Sequence, residues 1–469
     1  MELEDVPITP LELERFGAVL DAEGIARLQD TLTRGRALLA GRTIWSVNST
    51  ARGGGVAEML RSLIGYVQGA SVDARWVVVP GDAAFFDVTK RLHNRLHGVD
   101  DGVPLDRDVY ERRCRENADR LAQRVGPRDV VLLHDPQTAG MVPRIRESGV
   151  PVIWRAHIGL DMPNDAAREA WRFLIPYVRD ADAFVFSRLT YVWEGLDRDR
   201  TTVIAPSIDA FSPKNQAMSF TGITAVLRAA GLAADHDQQS RAVFERLDGS
   251  VGRVQRPART IEEHALRLDV PLVAQVSRWD RLKDPIGVLR GFAEHVRSDE
   301  AAHLILAGPD VEAVVDDPEG AAVLAEVETA WRGLPRDLRR RVHLALLPMD
   351  DPDENAIIVN ALQRRADVVV QKSLAEGFGL TVSEAMWKGR AVVASAVGGI
   401  EDQIEDGVSG HLVPPDDLAA FGRCVGELLA DPHGAERIGA AGQARVRNQF
   451  LGPRHLGQYV DLLARVLDG

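Results

Sequence analysis

At 469 residues, with 45% hydrophobic and 27% charged residues, the chain has ordinary soluble globular composition for two or three domains, and no disorder class fits it. A formal net charge of -13 argues against non-specific binding to nucleic acid or anionic membrane, so any anionic ligand must be held by local cations. Two cysteines, Cys114 and Cys424, argue against a disulfide framework or a cysteine-based metal site and make the cytosol the natural compartment.

The start, Met1-Glu2-Leu3-Glu4-Asp5, is acidic and lacks the basic and apolar regions of a leader, and no run of about 18 apolar residues occurs. From Pro10 to Leu39 apolar residues recur at helical spacing, which predicts a helical extension that reads as a packing arm. The first strand, Thr43 to Ser49, runs into Gly53-Gly54-Gly55 and a helix. Strand, glycine turn and helix is the arrangement that cradles a phosphate on backbone N–H groups, and it reads equally as a tight turn. Three adjacent glycines are neither the dinucleotide fingerprint nor a P-loop.

Strands follow at Ala74 to Val79, Asp129 to His134, Val152 to His157, Ala183 to Phe186 and Thr202 to Pro206, with helical stretches between. Each strand ends in polar residues, the pattern of a parallel sheet with right-handed crossovers. The stretch Phe211 to Leu268 is polar and irregular, with a helix near Ile223 to Ala229, Asp235 to Ser240 least structured and Asp235 to Arg256 the expected insertion. A second alternating series begins at Pro271 and continues through His303 to Gly308, Val342 to Leu346, Asp367 to Val370 and Ala391 to Ser395. The expected division is residues 1–210, residues 211–444 with a joining insertion at about 215–265, and a helix in 445–469 that crosses back to the first domain.

The fourth strand of that second series runs into Gln371-Lys372-Ser373-Leu374-Ala375-Glu376-Gly377-Phe378-Gly379-Leu380 and on to Glu384. Two carboxylates around a glycine turn at a strand's carboxyl end form a ligand site in α/β sheets. Arg278 and Lys283 follow the first strand of the same series, where an anion site in so acidic a protein needs cations. The histidines are too many to single one out by spacing, and no His-x-Glu-x-x-His cluster suggests a metal.

Glu376-x7-Glu384 with Arg278-x4-Lys283 resembles the retaining GT4 glycosyltransferases of the GT-B fold, which implies two Rossmann-like, doubly wound α/β domains facing a central cleft. Val47-Asn48-Ser49-Thr50, the Gly53 to Glu58 turn, His134-Asp135-Pro136-Gln137, Trp154-Arg155-Ala156-His157-Ile158 and Glu384 to Gly389 look like the trehalose glycosyltransferring synthases. The resemblance implies that Glu384 binds the ribose of a nucleoside-diphosphate glucose and Glu376 faces the donor sugar. Gly377, Phe378, Gly379 and Leu380 would offer backbone N–H groups. Arg278 and Lys283 would stabilise the leaving diphosphate, and Gly54 and Gly55 would close over it. His157 would contact the donor hexose and reaction centre. Asn48, Asp135 and Gln137 are candidates for acceptor hydroxyls; Asp135 serves equally as a helix cap.

The implied reaction is glucose transfer to glucose by front-face attack, giving trehalose with retention, and reversible cleavage of trehalose by NDP. No metal or other cofactor is implied, Mg2+ acting at most as a stimulant. The partners are small molecules: UDP-, ADP- or GDP-glucose, glucose and trehalose. Neither nucleic acid nor membrane insertion is expected, and the oligomeric state, a homodimer included, stays open. Alternatives are a retaining trehalose phosphorylase, another GT4 transferase with a different acceptor, and a nucleotide-sugar-binding protein without turnover. Asp284, after Lys283, replaces a small residue of the family pattern and puts diphosphate contacts from that helix start in doubt.

Overall fold

The computed structural model describes residues 2–51, 54–234, 242–296, 301–311 and 318–468. The chain forms two compact units, Met1–Ser207 with Phe450–Gly469, and Ile208–Gln449. Among the described residues no helix is long and apolar enough to cross a membrane.

The first unit holds β1 (Glu4–Asp5), β2 (Thr43–Asn48), β3 (Asp73–Val78), β4 (Val130–His134), β5 (Val152–Ala156), β6 (Ala183–Phe186) and β7 (Thr201–Val203). Their order in the sheet is β1-β3-β2-β4-β5-β6-β7. Only the β1 pairing is antiparallel, and Ile44 of β2 stands opposite Ala74 and Val130. Strands β4, β5 and β6 are buried throughout, as parallel strands covered on both faces must be. Alternate residues serve the two faces. Val131, Leu133, Trp154, Phe184 and Phe186 pack with Phe85, Leu92 and Tyr110. Val130, Leu132, Ile153 and Val185 pack with Leu39, Leu462 and Leu463. The last two lie on the helix Gly452–Asp468, which also meets the N-terminal helix Ala22–Leu38 closely: a Cβ on Gly35 would lie 3.2 Å from Val460.

The second unit holds β8 (Val243–Glu245), β9 (Val251–Arg253), β10 (Arg259–Ile261), β11 (Leu272–Val276), β12 (His303–Pro309), β13 (Val342–Leu347), β14 (Val368–Gln371), β15 (Ala391–Ser395) and β16 (His411–Val413). The main sheet runs β10-β13-β12-β11-β14-β15-β16, antiparallel only at β10. In each unit the first strand of the parallel series is central and the strand order reverses beside it, between β2 and β4 and between β11 and β14. The crevice outside the carboxyl ends of such a strand pair is where open α/β sheets bind ligands.

The joining stretch is more ordered than its polarity predicts. It contains the β8–β9 hairpin and the edge strand β10, and Gly252 packs so tightly under Phe244 that a Cβ would fall 2.4 Å from the ring. Arg246 binds Asp351 at 2.9 Å, and Glu354 accepts the Arg256 N–H at 2.7 Å, tying the hairpin to the helix Pro352–Arg365. Strands of three residues carry too little local pattern to be seen in the sequence, and the Arg246 and Arg256 ties that hold them reach 105 and 98 positions along the chain. Asp235 to Ser240, expected to be least structured, lie outside the described residues.

Candidate active site

At the carboxyl end of β14 the chain turns through Ser373 to Gly379 into the helix Leu380–Trp387. Gly379 has φ +80, no side chain caps the helix, and Val382 N–H bonds Gly379 O at 2.9 Å. A Cβ at Gly379 would crowd Glu376 at 3.0 Å, whereas Gly377 has open space around it. The turn is held from behind, because Gln403 donates to Phe378 O and Gly399 N–H reaches Gly377 O at 3.2 Å.

Lys283 ends a short 3-10 turn after β11, and its Nζ pairs with Glu376 Oε2, which also accepts from Ser373 Oγ at 3.2 Å. Leu374 N–H donates to Leu282 O at 2.8 Å, which joins the two loops. The structure therefore brings Lys283 and Glu376 together. Arg278 is instead two-thirds exposed, its guanidinium 2.9 Å from Asp280. Asp284, at φ 46, turns inward: Oδ1 accepts Gly287 N–H at 2.9 Å and Oδ2 pairs with buried Lys372. Both its oxygens are consumed inside the unit. Lys372, which the sequence presents as one more polar residue, joins that helix start to β14 and to Pro415 O at 2.6 Å.

Glu384 is buried one helical turn into Leu380–Trp387, with Lys214 Nζ 3.7 Å from Oε1. Lys388 Nζ donates to Glu384 O and to Asn215 Oδ1, each at 3.0 Å. Burial holds the Lys388 amine well below the ordinary lysine range.

In the first unit Asn48 ends β2 with its amide already engaged, Oδ1 accepting from Trp76 Nε1 at 2.8 Å and Nδ2 donating to Thr50 O at 2.7 Å. Gly54, at φ +77, and Gly55 open the helix Gly54–Gly69, and a Cβ at Gly54 would meet nothing within 4 Å. Gly53 lies outside the described residues. Asp135 follows β4 at φ 62, a left-handed conformation that costs a non-glycine residue about 1–2 kcal/mol. Its Oδ1 accepts the His157 N–H at 2.8 Å, so it joins β4 to β5 and does not cap the helix Asp135–Ala139. Burial raises the Asp135 carboxyl to about 7. Gln137 is half-buried on that short helix.

His157 has both ring nitrogens engaged. Arg155 Nε donates to Nδ1 at 3.3 Å, and Nε2 lies 2.9 Å from His134 Nδ1. A guanidinium only donates, so His157 carries its proton on Nε2 and passes the bond to His134, whose own Nε2–H is left for Ser46 Oγ at 2.8 Å. On the other side Arg155 donates to His455 Nε2 at 3.1 Å and Tyr459 OH at 2.6 Å, and His455 Nδ1–H meets Ser207 Oγ at 2.9 Å. Arg155 is fully buried and sets every tautomer in this chain of bonds. For a ligand to reach a His157 nitrogen, one of these bonds must exchange. Burial, and next the charge of Arg155, lower all three rings, His134 to about 3. The signal for this network in the sequence was one arginine inside the apolar strand Val152-Ile153-Trp154-Arg155-Ala156.

The family described as "Trehalose synthase, N-terminal domain" matches residues 46–193, and "Glycosyl transferases group 1" matches residues 258–445. The trehalose synthase of Pyrococcus horikoshii is 34% identical over 455 residues, 96% of each chain. That of Rubrobacter xylanophilus is 34% identical over 462 residues, 97% of each. The trehalose phosphorylase of Grifola frondosa is 25% identical over 85% of this chain and 55% of its own. Among solved structures, an alpha,alpha-trehalose-phosphate synthase (UDP-forming) from Burkholderia xenovorans in complex with glucose-6-phosphate aligns with a TM-score of 0.65 at 14% identity, covering 92% of this chain and 100% of that one. Anabaena Alr3699/HepE in complex with UDP and glucose aligns at 0.60, also at 14% identity, over 90% and 100%. The chain thus has the GT-B fold, and it belongs to the trehalose synthase family within the group 1 glycosyl transferases, as a hexosyltransferase.

Proposed function

We propose that the protein transfers glucose from a nucleoside-diphosphate glucose to glucose, forming trehalose with retention of configuration, and that it cleaves trehalose with NDP in the reverse direction. The observation that carries this reading is the Lys283–Glu376 pair at the carboxyl end of β14, in a chain that aligns with trehalose synthases over 96% of its length. Glu376 accepts hydrogen bonds from donor-sugar hydroxyls. Lys283, held beside it, donates to the diphosphate as negative charge builds there, with Arg278 turning from Asp280 to the same anion. A cation aimed at the leaving group contributes most in the transition state. The N–H groups from Phe378 to Leu380 bind sugar or phosphate, and Glu384 binds the ribose. The attacking hydroxyl enters on the face the diphosphate leaves, and its proton passes to the departing oxygen.

Asp135, Gln137 and Asn48 are assigned to the acceptor, His157 to the donor hexose and reaction centre, and Gly54 and Gly55 to the edge of the bound donor. For Asn48 and His157 to reach a sugar, one of the bonds already described must exchange. The substrates are small molecules, and we place the reaction in the cytosol. Lys283 and Arg278 supply the positive charge, so turnover is expected to persist in excess EDTA, with Mg2+ at most stimulating it.

Purified protein given UDP-, ADP- or GDP-glucose plus glucose is expected to yield a non-reducing disaccharide and NDP. No product from any donor would reject the proposal. Release of glucose 1-phosphate from trehalose on adding inorganic phosphate would instead establish the phosphorylase reading, for which the fungal relatives at 25–27% identity speak.

With its carboxyl raised to about 7, Asp135 is half protonated near neutrality, and the ionised form is the stronger acceptor for a sugar hydroxyl. The kcat/KM for acceptor is therefore expected to climb with pH through a midpoint near 7. In Asp135→Asn the limb should vanish. A limb unchanged by that substitution would remove Asp135 from acceptor binding.

A further inference from the structure

Three consecutive residues of the loop after β11 are each tied to the turn after β14. Leu282 O accepts the Leu374 N–H at 2.8 Å, Lys283 Nζ pairs with Glu376 Oε2, and Asp284 Oδ2 pairs with Lys372 Nζ. A fourth tie comes from inside the sheet, where Gln275 Nε2 of β11 donates to Lys283 O at 2.8 Å. Lys372 is the deepest of these anchors, its side chain 1% exposed against 18% for Lys283. Its ammonium also donates to Pro415 O at 2.6 Å, so it is held by the loop after β16 as well.

Asp284 needs such an anchor. At φ 46 it is left-handed, a conformation that a non-glycine residue keeps only where its surroundings hold it. Both carboxylate oxygens do so, Oδ1 on the Gly287 N–H at 2.9 Å and Oδ2 on Lys372. The residue immediately before is Lys283, whose ammonium ends a flexible four-carbon stem. Where that ammonium points depends on where its backbone stands, and the backbone is fixed at 282 by Leu374, at 283 by Gln275 and at 284 by Lys372. Uncharged residues of similar volume often serve a fold as well as a buried ion pair, so stability alone does not account for a lysine at this depth.

We propose that Lys372 is a positioning residue for the transfer step: through Asp284 it fixes the backbone that aims the Lys283 ammonium at the departing diphosphate. This rests on the assignment of Lys283 to the leaving group. Asp284 then has a part in the reaction without touching the diphosphate, because its carboxylate is spent on holding the loop. A cation contributes to the transition state only as far as it is already in place when the charge develops, and a small displacement forfeits much of the effect.

Steady-state kinetics, NDP titration calorimetry and thermal scans on the full chain compare wild type, Lys372→Met/Asp284→Asn, Lys283→Ala and the triple variant. The double substitution leaves no buried charge unpaired and keeps a side-chain acceptor for the Gly287 N–H, so its thermal midpoint is expected close to wild type. It should lower kcat about 10- to 100-fold and leave NDP affinity within about threefold. Lys283→Ala should lower kcat by about 100-fold or more. In the Lys283→Ala background the double substitution should cost no more than about twofold further, since no ammonium is left to aim. A pair that only supports the fold would cost the same factor in both backgrounds. That result, a double variant with wild-type kcat, or one that no longer folds overturns the proposal and leaves the Lys283 assignment standing. If Lys283→Ala keeps the wild-type kcat, the Lys283 assignment itself fails and takes the proposal with it.

Discussion

Glu376→Ala is expected to lower kcat by about 100- to 1,000-fold while changing NDP affinity by no more than about threefold. Glu376 holds Lys283 in place through Oε2, and the pair is only 11% and 18% exposed, so the lysine has no other fixed position once the carboxylate is gone. Two losses then coincide: the donor hydroxyls lose an acceptor, and the cation that answers the developing charge becomes mobile. Both matter more in the transition state than in the ground state, which is why the loss falls on kcat. Glu384→Ala is expected to do the reverse, weakening NDP roughly 10- to 100-fold with kcat at saturating donor nearly preserved, because a ribose contact is the same before and during transfer. Steady-state kinetics with NDP titration calorimetry separates the two. Equal effects of both substitutions on both quantities would end the division of roles.

Acidification from pH 7 to pH 5 is expected to lower the thermal midpoint of the unit that carries His134, His157 and His455. His134 falls from an ordinary histidine value of 6.5 to about 3 in the fold, so between those values the unfolded chain binds a proton that the folded chain refuses. Its contribution is complete above pH 6.5 and shrinks as pH falls, by about 2 kcal/mol at pH 5. His157 and His455 are shifted in the same direction by burial and then by Arg155. Asp135 opposes them: its carboxyl rises from 3.8 to about 7, so the fold gains over the unfolded chain as pH drops through that range. It offsets about what His134 contributes, so the downward shifts of His157 and His455 set the sign of the net change. Scanning calorimetry across this pH range measures the shift. A midpoint that does not move would show that the rings accept protons without opening the network.

The layered architecture was readable because parallel strands covered on both faces are apolar runs, and Val130 to Leu133, Leu272 to Val276 and Val368 to Val370 announce themselves. What escaped were three of the four edges of the two main sheets. Glu4–Asp5, Arg259–Ile261 and His411–Val413 are two or three residues long and pair through backbone groups that any sequence possesses. The carboxylates and cations proposed for the donor could be named from their spacing, but not their partners, since Lys283 and Glu376 are 93 positions apart. Buried cations were the least legible class. Arg155, Lys372 and Lys388 have the composition of solvated surface and the location of core, and only the tertiary structure says which acceptors they meet. Asn48 and His157 show the converse, polar strand ends whose hydrogen-bonding groups are already spoken for within their own unit.

The helix Gly452–Asp468 belongs to the unit that begins the chain, and it carries His455 and Tyr459 to Arg155. During synthesis, then, the first unit to emerge is the last to be finished. At about 5–20 residues per second, the 242 residues from Ile208 to Gln449 keep it waiting for roughly 10–50 s. Through that interval a guanidinium destined for the interior lacks two of its acceptors, and the apolar face that will meet Leu462 and Leu463 stands open to water and to chaperones. The second unit, continuous in the chain, has no such delay.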